Sequence, residues 1–136
     1  MSREHVELVR RIHEADARGD YEQALAHFAS DVEFDATHMP DGQVFRGLAE
    51  VRDHIADWRA RWSDFEEDVE DIIDAGEHVV IFYCDAGTGR SSGARTEIRY
   101  ASVWDVRDGK IWRMKNFLDR AEALRYAGLA PGQQAD

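Results

Sequence analysis

Residues 96–118 read TEIRYASVWDVRDGKIWRMKNFL, and this stretch decides the fold. Asp108-Gly109 near its centre is a two-residue hairpin turn signal, because both positions accept positive φ and the resulting turn matches the twist of paired strands. Thr96 to Arg107 and Lys110 to Leu118 are therefore neighbouring antiparallel strands. In the second, Trp112, Met114, Asn116 and Leu118 share one face, while Ile111, Arg113, Lys115 and Phe117 share the other.

Toward the N-terminus the same period continues. His78 to Ala86 is a strand with Val80, Phe82 and Cys84 opposing Val79, Ile81 and Tyr83. Phe65 to Ile73 is a strand before it, joined by an Ala75-Gly76 turn. The Gly- and Ser-rich residues 87–93 read as a mobile hairpin loop. Both faces of the central strands are largely apolar, so both are expected to be covered, one by helices and the outer one by a second copy in a two-fold dimer.

The first half has helical period. Val6, Leu8, Val9, Ile12 and Ala15 form the apolar stripe of a first helix ending near Gly19. Asp20 and Gln23 have capping-box spacing and start a short second helix. Val32 to Ala36 alternates as a strand, residues 37–47 read as a loop with an Asp41-Gly42 turn, and Leu48 to Trp62 is a third helix. Asp119 and Glu122 repeat the capping-box spacing ahead of a short closing helix, with Gly128 at its C-cap. Helices first and strands after argue for an α+β domain over residues 1–130, with a disordered tail over 131–136.

Composition narrows the function. The chain has 136 residues with a net charge of −11, so phosphate backbones and anionic membranes are poor partners. Cys84 is the lone cysteine, which excludes an intramolecular disulfide. No apolar run is long enough to span a membrane, and no signal-peptide core follows Met1, so the expected location is cytoplasmic. Neither a metal-ligand spacing nor a nucleotide loop is present, so no metal and no cofactor is expected.

The element order, the Phe28-Ala29-Ser30-Asp31-Val32 run, Phe45-Arg46-Gly47 before the third helix, Arg107-Asp108-Gly109-Lys110-Ile111, and the ending Asp119-Arg120-Ala121-Glu122-Ala123-Leu124 together resemble the SnoaL-like branch of the nuclear transport factor 2-like superfamily. The resemblance implies a cone-like curved antiparallel sheet with the N-terminal helices packed on its concave face, around a pocket. It implies a lining of Phe34, Ala36 and His38, then Val80, Phe82 and Cys84, then Tyr100, Ser102 and Trp104, then Trp112, Met114, Asn116 and Leu118, with Ile55, Trp58 and Trp62 from the third helix. Such a lining suits a hydrophobic small molecule.

The family's chemistry does not transfer directly. The tyrosine, base and aspartic acid of the ketosteroid isomerase branch fall at Ile12, Ala36 and Ser102. The pocket carboxylate of SnoaL-type cyclases falls at Asn116, whose amide hydrogen-bonds but does not shuttle protons at neutral pH. The expected site has His38 as proton carrier, with Asn116 and Tyr100 holding a substrate oxygen. The bland alternatives are a surface His38, an Asp119 that only caps its helix, a solvated His13–Asp16 helix pair, a surface His54 and a Cys84 that is a small core hydrophobe. The expected function is a cofactor-independent isomerase, cyclase or lyase on a hydrophobic, ring-containing or polyketide-like compound. The alternative is a non-catalytic ligand-binding or dimer-forming accessory domain.

Overall fold

The computed structural model describes residues 2–40 and 42–130, so Asp41 and the expected tail lie outside the described residues. In chain order the elements are α1 (Ser2–Ala17), α2 (Tyr21–Leu25), β1 (Phe28–His38), β2 (Val44–Arg46), α3 (Leu48–Ala60), β3 (Glu66–Ala75), β4 (His78–Thr88), β5 (Arg95–Arg107), β6 (Lys110–Phe117) and α4 (Arg120–Tyr126). The six strands form one sheet in the order β2-β1-β6-β5-β4-β3. All neighbours are antiparallel except β1 and β6, which run parallel and make the sheet mixed.

Local chemistry explains the joints. Asp108 (φ 53) and Gly109 (φ 76) both take positive φ, as the turn between β5 and β6 requires. Asp20 caps α2 by accepting from the Gln23 amide at 3.3 Å, and Asp119 caps α4 by accepting from the Ala121 amide at 2.9 Å. At the end of α4 the Leu129 amide donates to Leu124 and the Gly128 amide to Arg125, which closes a Schellman motif.

The sheet carries two apolar faces. On the concave face, Val79, Ile81 and Tyr83 of β4 pack with Tyr100 and Trp104 of β5, Met114 of β6, and Leu8, Val9 and Ile12 of α1. On the outer face, Val80, Phe82, Ala101, Val103 and Phe117 pack under Ala123, Leu124 and Ala127 of α4 and its flank. Part of the outer face is therefore covered by the chain itself. Asp105 is buried on this face, where His78 Nδ1 pairs with it and Arg113 Nε donates to it at 2.8 Å.

Residues 89–94 are tied down. The Arg90 amide donates to Arg61 O, its Nε donates to Ala60 O, and the Thr88 amide donates to Asp64 at 2.7 Å. A Cβ on Gly87 would lie 2.9 Å from Trp62 Cβ, so glycine lets this end of β4 pass under the indole. The hairpin expected to be mobile is thus pinned to the end of α3. β4 and β5 stay paired out to Thr88 and Arg95.

Candidate functional site

Between the concave face, α1 and α3 lies a cavity of about 580 Å³. One side is apolar, built from Phe34 and Ala36 of β1, Phe45 of β2, Met114 of β6, Ile55 of α3 and Leu118. The other is polar and comes from β3, β5 and the two helices: Glu67, Tyr100, Trp58, Arg59, Asp16 and His13. The cavity grades from an exposed rim, where Leu118 is 48% accessible, to a floor at Met114 and Ser102, each 2% accessible.

The polar side is organised by Asp85 on β4. Its carboxyl is buried behind the cavity wall, and Oδ2 accepts from Tyr100 Oη at 2.7 Å and from Trp58 Nε1 at 3.0 Å. The other oxygen, Oδ1, is buried with no hydrogen-bond partner of its own. Glu67 stands directly across from Asp85 in the β3–β4 register. Burial among protein groups, then the Asp85 and Asp16 charges, push Glu67 up to about 8. Burial also raises Asp85, but the Tyr100, Trp58 and Glu67 hydrogen bonds pull it back. Both carboxyls are thus held above the usual carboxylate range, and Glu67 is the one pushed toward neutral pH. Glu67 is exposed and lines the cavity, so its side chain faces the cavity as well as Asp85.

Two further pairs complete this wall. Asp16 lies 3.6 Å from Arg59, and burial holds its carboxyl above the usual range against that guanidinium. His13 Nδ1 contacts Val9 O at 2.7 Å, which places the ring proton there and leaves Nε2 to accept from Tyr83 Oη at 2.5 Å. Burial lowers His13, so the ring is neutral and poised as an acceptor. Among the described residues no group of three or more His, Cys, Asp or Glu side chains is disposed to hold a metal ion.

The SnoaL-like domain profile matches residues 9–114, most of the chain. The chain belongs to the SnoaL-like family, within the nuclear transport factor 2-like superfamily. It is similar to a nuclear transport factor 2-like protein of unknown function from Burkholderia pseudomallei, with 24% identity over 90% of this chain and 95% of that one and a TM-score of 0.73. A related protein of Burkholderia thailandensis shares 27% identity over 82% and 88%, with a TM-score of 0.74. A candidate polyketide cyclase from Xanthomonas campestris shares 25% over 92% and 97%, with a TM-score of 0.69. Among curated proteins, none matches the chain.

Within this SnoaL-like cone, Phe34, Ile55, Trp58, Tyr100, Ser102, Trp104, Met114, Asn116 and Leu118 all line the cavity as expected. His38 does not. β1 carries an extra residue between Asp35 and His38 relative to β6, which turns the imidazole to the outer face. There it stacks on Phe117 at 4.9 Å and meets Glu122 at 3.2 Å. Val80, Phe82 and Cys84 also face outward, because Tyr83 is directly opposite Tyr100 and residues facing each other share a side. Phe82 lies under the Arg120 guanidinium at 4.6 Å, and Cys84 is buried on the outer side. Trp112 is the bulged residue of β6, and its indole lies between Arg107 and Arg113 at 5.0 and 4.5 Å. Trp62 follows the end of α3 and packs against Gly87 rather than the cavity.

Three groups are more than the sequence reading made of them. His13 and Asp16 both line the cavity, each bonded elsewhere rather than to the other. His54 also lines it, stacked on Phe45 at 4.0 Å. Asp85 and Glu67 were not singled out at all. A lone carboxylate in the apolar run of β4 is a readable signal for Asp85. Glu67 sits among Glu66, Asp68 and Glu70 and carries none.

Proposed function

We propose that the chain binds a hydrophobic, ring-containing or polyketide-like small molecule and performs a cofactor-independent proton transfer on it, as an isomerase, cyclase or lyase. The observation that carries this reading is the facing carboxyl pair, in which Glu67 lines the cavity directly across from Asp85 and is pushed up to about 8 by burial and by the Asp85 and Asp16 charges. A carboxyl raised toward neutral pH beside a second one is suited to moving protons there. Glu67 faces the ligand and is the catalytic residue; it gives its proton to the substrate and regains one in the return step. Asp85 does not line the cavity and is a positioning residue, held by Tyr100 and Trp58. Tyr100 spends its phenolic proton on Asp85, so it supports the acid rather than donating to a substrate oxygen. The name borne by the Xanthomonas campestris relative supports a polyketide-like ligand.

The family resemblance favours the second reading, a binding-only domain: it implies that Asn116 stands where SnoaL-type cyclases carry their pocket carboxylate. The test begins with thermal-shift screening against steroids, aromatic polyketide intermediates and terpenoids, since a ligand of the native state raises the melting temperature. Hits are then incubated in deuterated water. Conversion, or deuterium uptake at ligand carbon, that disappears in Glu67→Gln supports proton transfer. Binding with neither selects the binding-only domain.

A further inference from the structure

The donors on the polar wall of the cavity are spent inside the protein. His13 Nδ1 lies 2.7 Å from Val9 O, which only accepts, so that nitrogen carries the ring proton and Nε2 accepts from Tyr83 Oη at 2.5 Å. Tyr100 Oη and Trp58 Nε1 both donate to Asp85. Each phenol has one proton and has used it, so its oxygen keeps only lone pairs to offer. Tyr83 is 5% accessible and lines the cavity, so a partner for its oxygen lone pair comes from the cavity side. Asp16 stands one turn along α1 from His13, on the same face. Its carboxyl lies 3.6 Å from Arg59, longer than a hydrogen bond, and Arg59 itself lies over the Tyr21 ring at 4.2 Å. Burial, only partly offset by Arg59, holds Asp16 above the usual carboxylate range. The wall is thus rich in acceptors and carboxyls.

We infer that Tyr83 Oη and the Asp16 carboxyl, with His13 fixing the direction of the Tyr83 proton, form an ammonium-binding site, and that the ligand is a hydrophobic ring compound carrying a protonated primary amine. An ammonium has three donors and no acceptor, the complement of this wall, and its bonds to a carboxylate are charge-assisted. Ring faces add to the attraction: Tyr83 and Tyr100 stack at 5.1 Å, and the Trp104 ring lies 5.0 Å from His13. The ring body of the ligand extends to the apolar side, at Phe34 and Met114. A carboxylate ligand would find Arg59, but it would meet Asp16, Glu67 and two phenol lone pairs of like sign. This rests on the proposed small-molecule function and names its substrate class: amine-bearing ring compounds. His13 is a positioning residue in it.

The test uses three probes of one shape, 2-(aminomethyl)naphthalene, 2-ethylnaphthalene and 2-naphthoate, by equilibrium dialysis at neutral pH. The wild-type protein binds the amine about tenfold or more tightly than the hydrocarbon, the worth of a charged hydrogen bond, and the naphthoate least. Tyr83→Phe and Asp16→Asn each shrink the preference for the amine. His13→Leu removes the acceptor, so the Tyr83 proton turns to the cavity; the amine weakens and the naphthoate tightens, a reversal that a loss of packing would not produce. The ranking of the three probes on the wild-type protein decides the matter even where a variant fails to fold. Equal affinities, naphthoate bound best, or no probe bound by the wild-type protein overturns the inference. So does a preference that survives both Tyr83→Phe and Asp16→Asn. Glu67→Gln separates this from the proton-transfer reading. An amine preference retained in Glu67→Gln, with no ring compound converted by the wild-type protein, keeps the ammonium site and removes the chemistry. Conversion of a neutral ring compound that is lost in Glu67→Gln, with no amine preference in the wild-type protein, does the reverse.

Discussion

Replacing Glu67 by Gln tests the carboxyl pair through stability, without a substrate. A carboxyl whose folded value is raised keeps a proton that the unfolded chain releases. Between the two values the native state binds more protons, so stability falls as pH rises, and the loss is complete above the folded value. For Glu67 that window runs from 4.5 to about 8. At about 1.4 kcal/mol per pH unit an unscreened carboxyl would cost the fold about 5 kcal/mol across it. Glu67 opens onto a solvent-accessible cavity, and screening there reduces the expected cost to roughly 1–2 kcal/mol. Gln has nearly the same shape and stays neutral throughout. Urea unfolding of both proteins at intervals from about pH 5 to about pH 8 reads the difference, provided the m-values agree. The two should be nearly equal at the acid end, with Glu67→Gln more stable by roughly 1–2 kcal/mol at the alkaline end. A gap that does not change with pH, or one that grows toward acid, would refute the assignment of the proton to Glu67.

Other consequences are simpler. Asp85→Leu strands the Tyr100 hydroxyl and the Trp58 indole N–H and should destabilise by about 3 kcal/mol or more in the same urea assay, whereas Asp85→Asn keeps an acceptor and costs less; similar values for both would remove Asp85 as the organiser. Gly87→Ala drives a Cβ to 2.9 Å from Trp62 Cβ and should cost about 1–3 kcal/mol; a neutral result would mean that the hairpin is not pinned there. Burial pushes the Cys84 thiol up, so an aromatic disulfide reagent should label it only as the protein unfolds, and labelling at the rate of a free thiol would contradict its outer-face burial. A second copy on the part of the outer face that α4 leaves open predicts a dimer by light scattering, and a monomer would leave α4 as its whole cover.

What the sequence made legible, and what it did not, divides along a physical line. Turn and cap chemistry is local, so Asp108-Gly109, Asp20 and Asp119 could each be read from a few residues. The strand alternation was legible too, but the side it pointed to was not. Where both faces of a strand are apolar, composition does not distinguish them. Only the pairing of Tyr83 with Tyr100 fixes β4, and that is a long-range fact. Bulges then break the alternation itself. Extra residues on β1 after Asp35 and on β6 at Trp112 turned His38 and Trp112 out of the pocket, and another on β3 lies between Val69 and Asp71. A site on curved strands is therefore least readable by parity at the places that curve them. A better sequence rule is to ask which charged residue a buried strand tolerates. Asp85 is that residue on β4; its partners Tyr100 and Trp58 supply the donors a buried carboxylate needs, and its remaining oxygen needs one more. Glu67 faces that oxygen's carboxyl from β3, so the register that pairs the two strands is also what brings the two carboxyls together at the cavity wall.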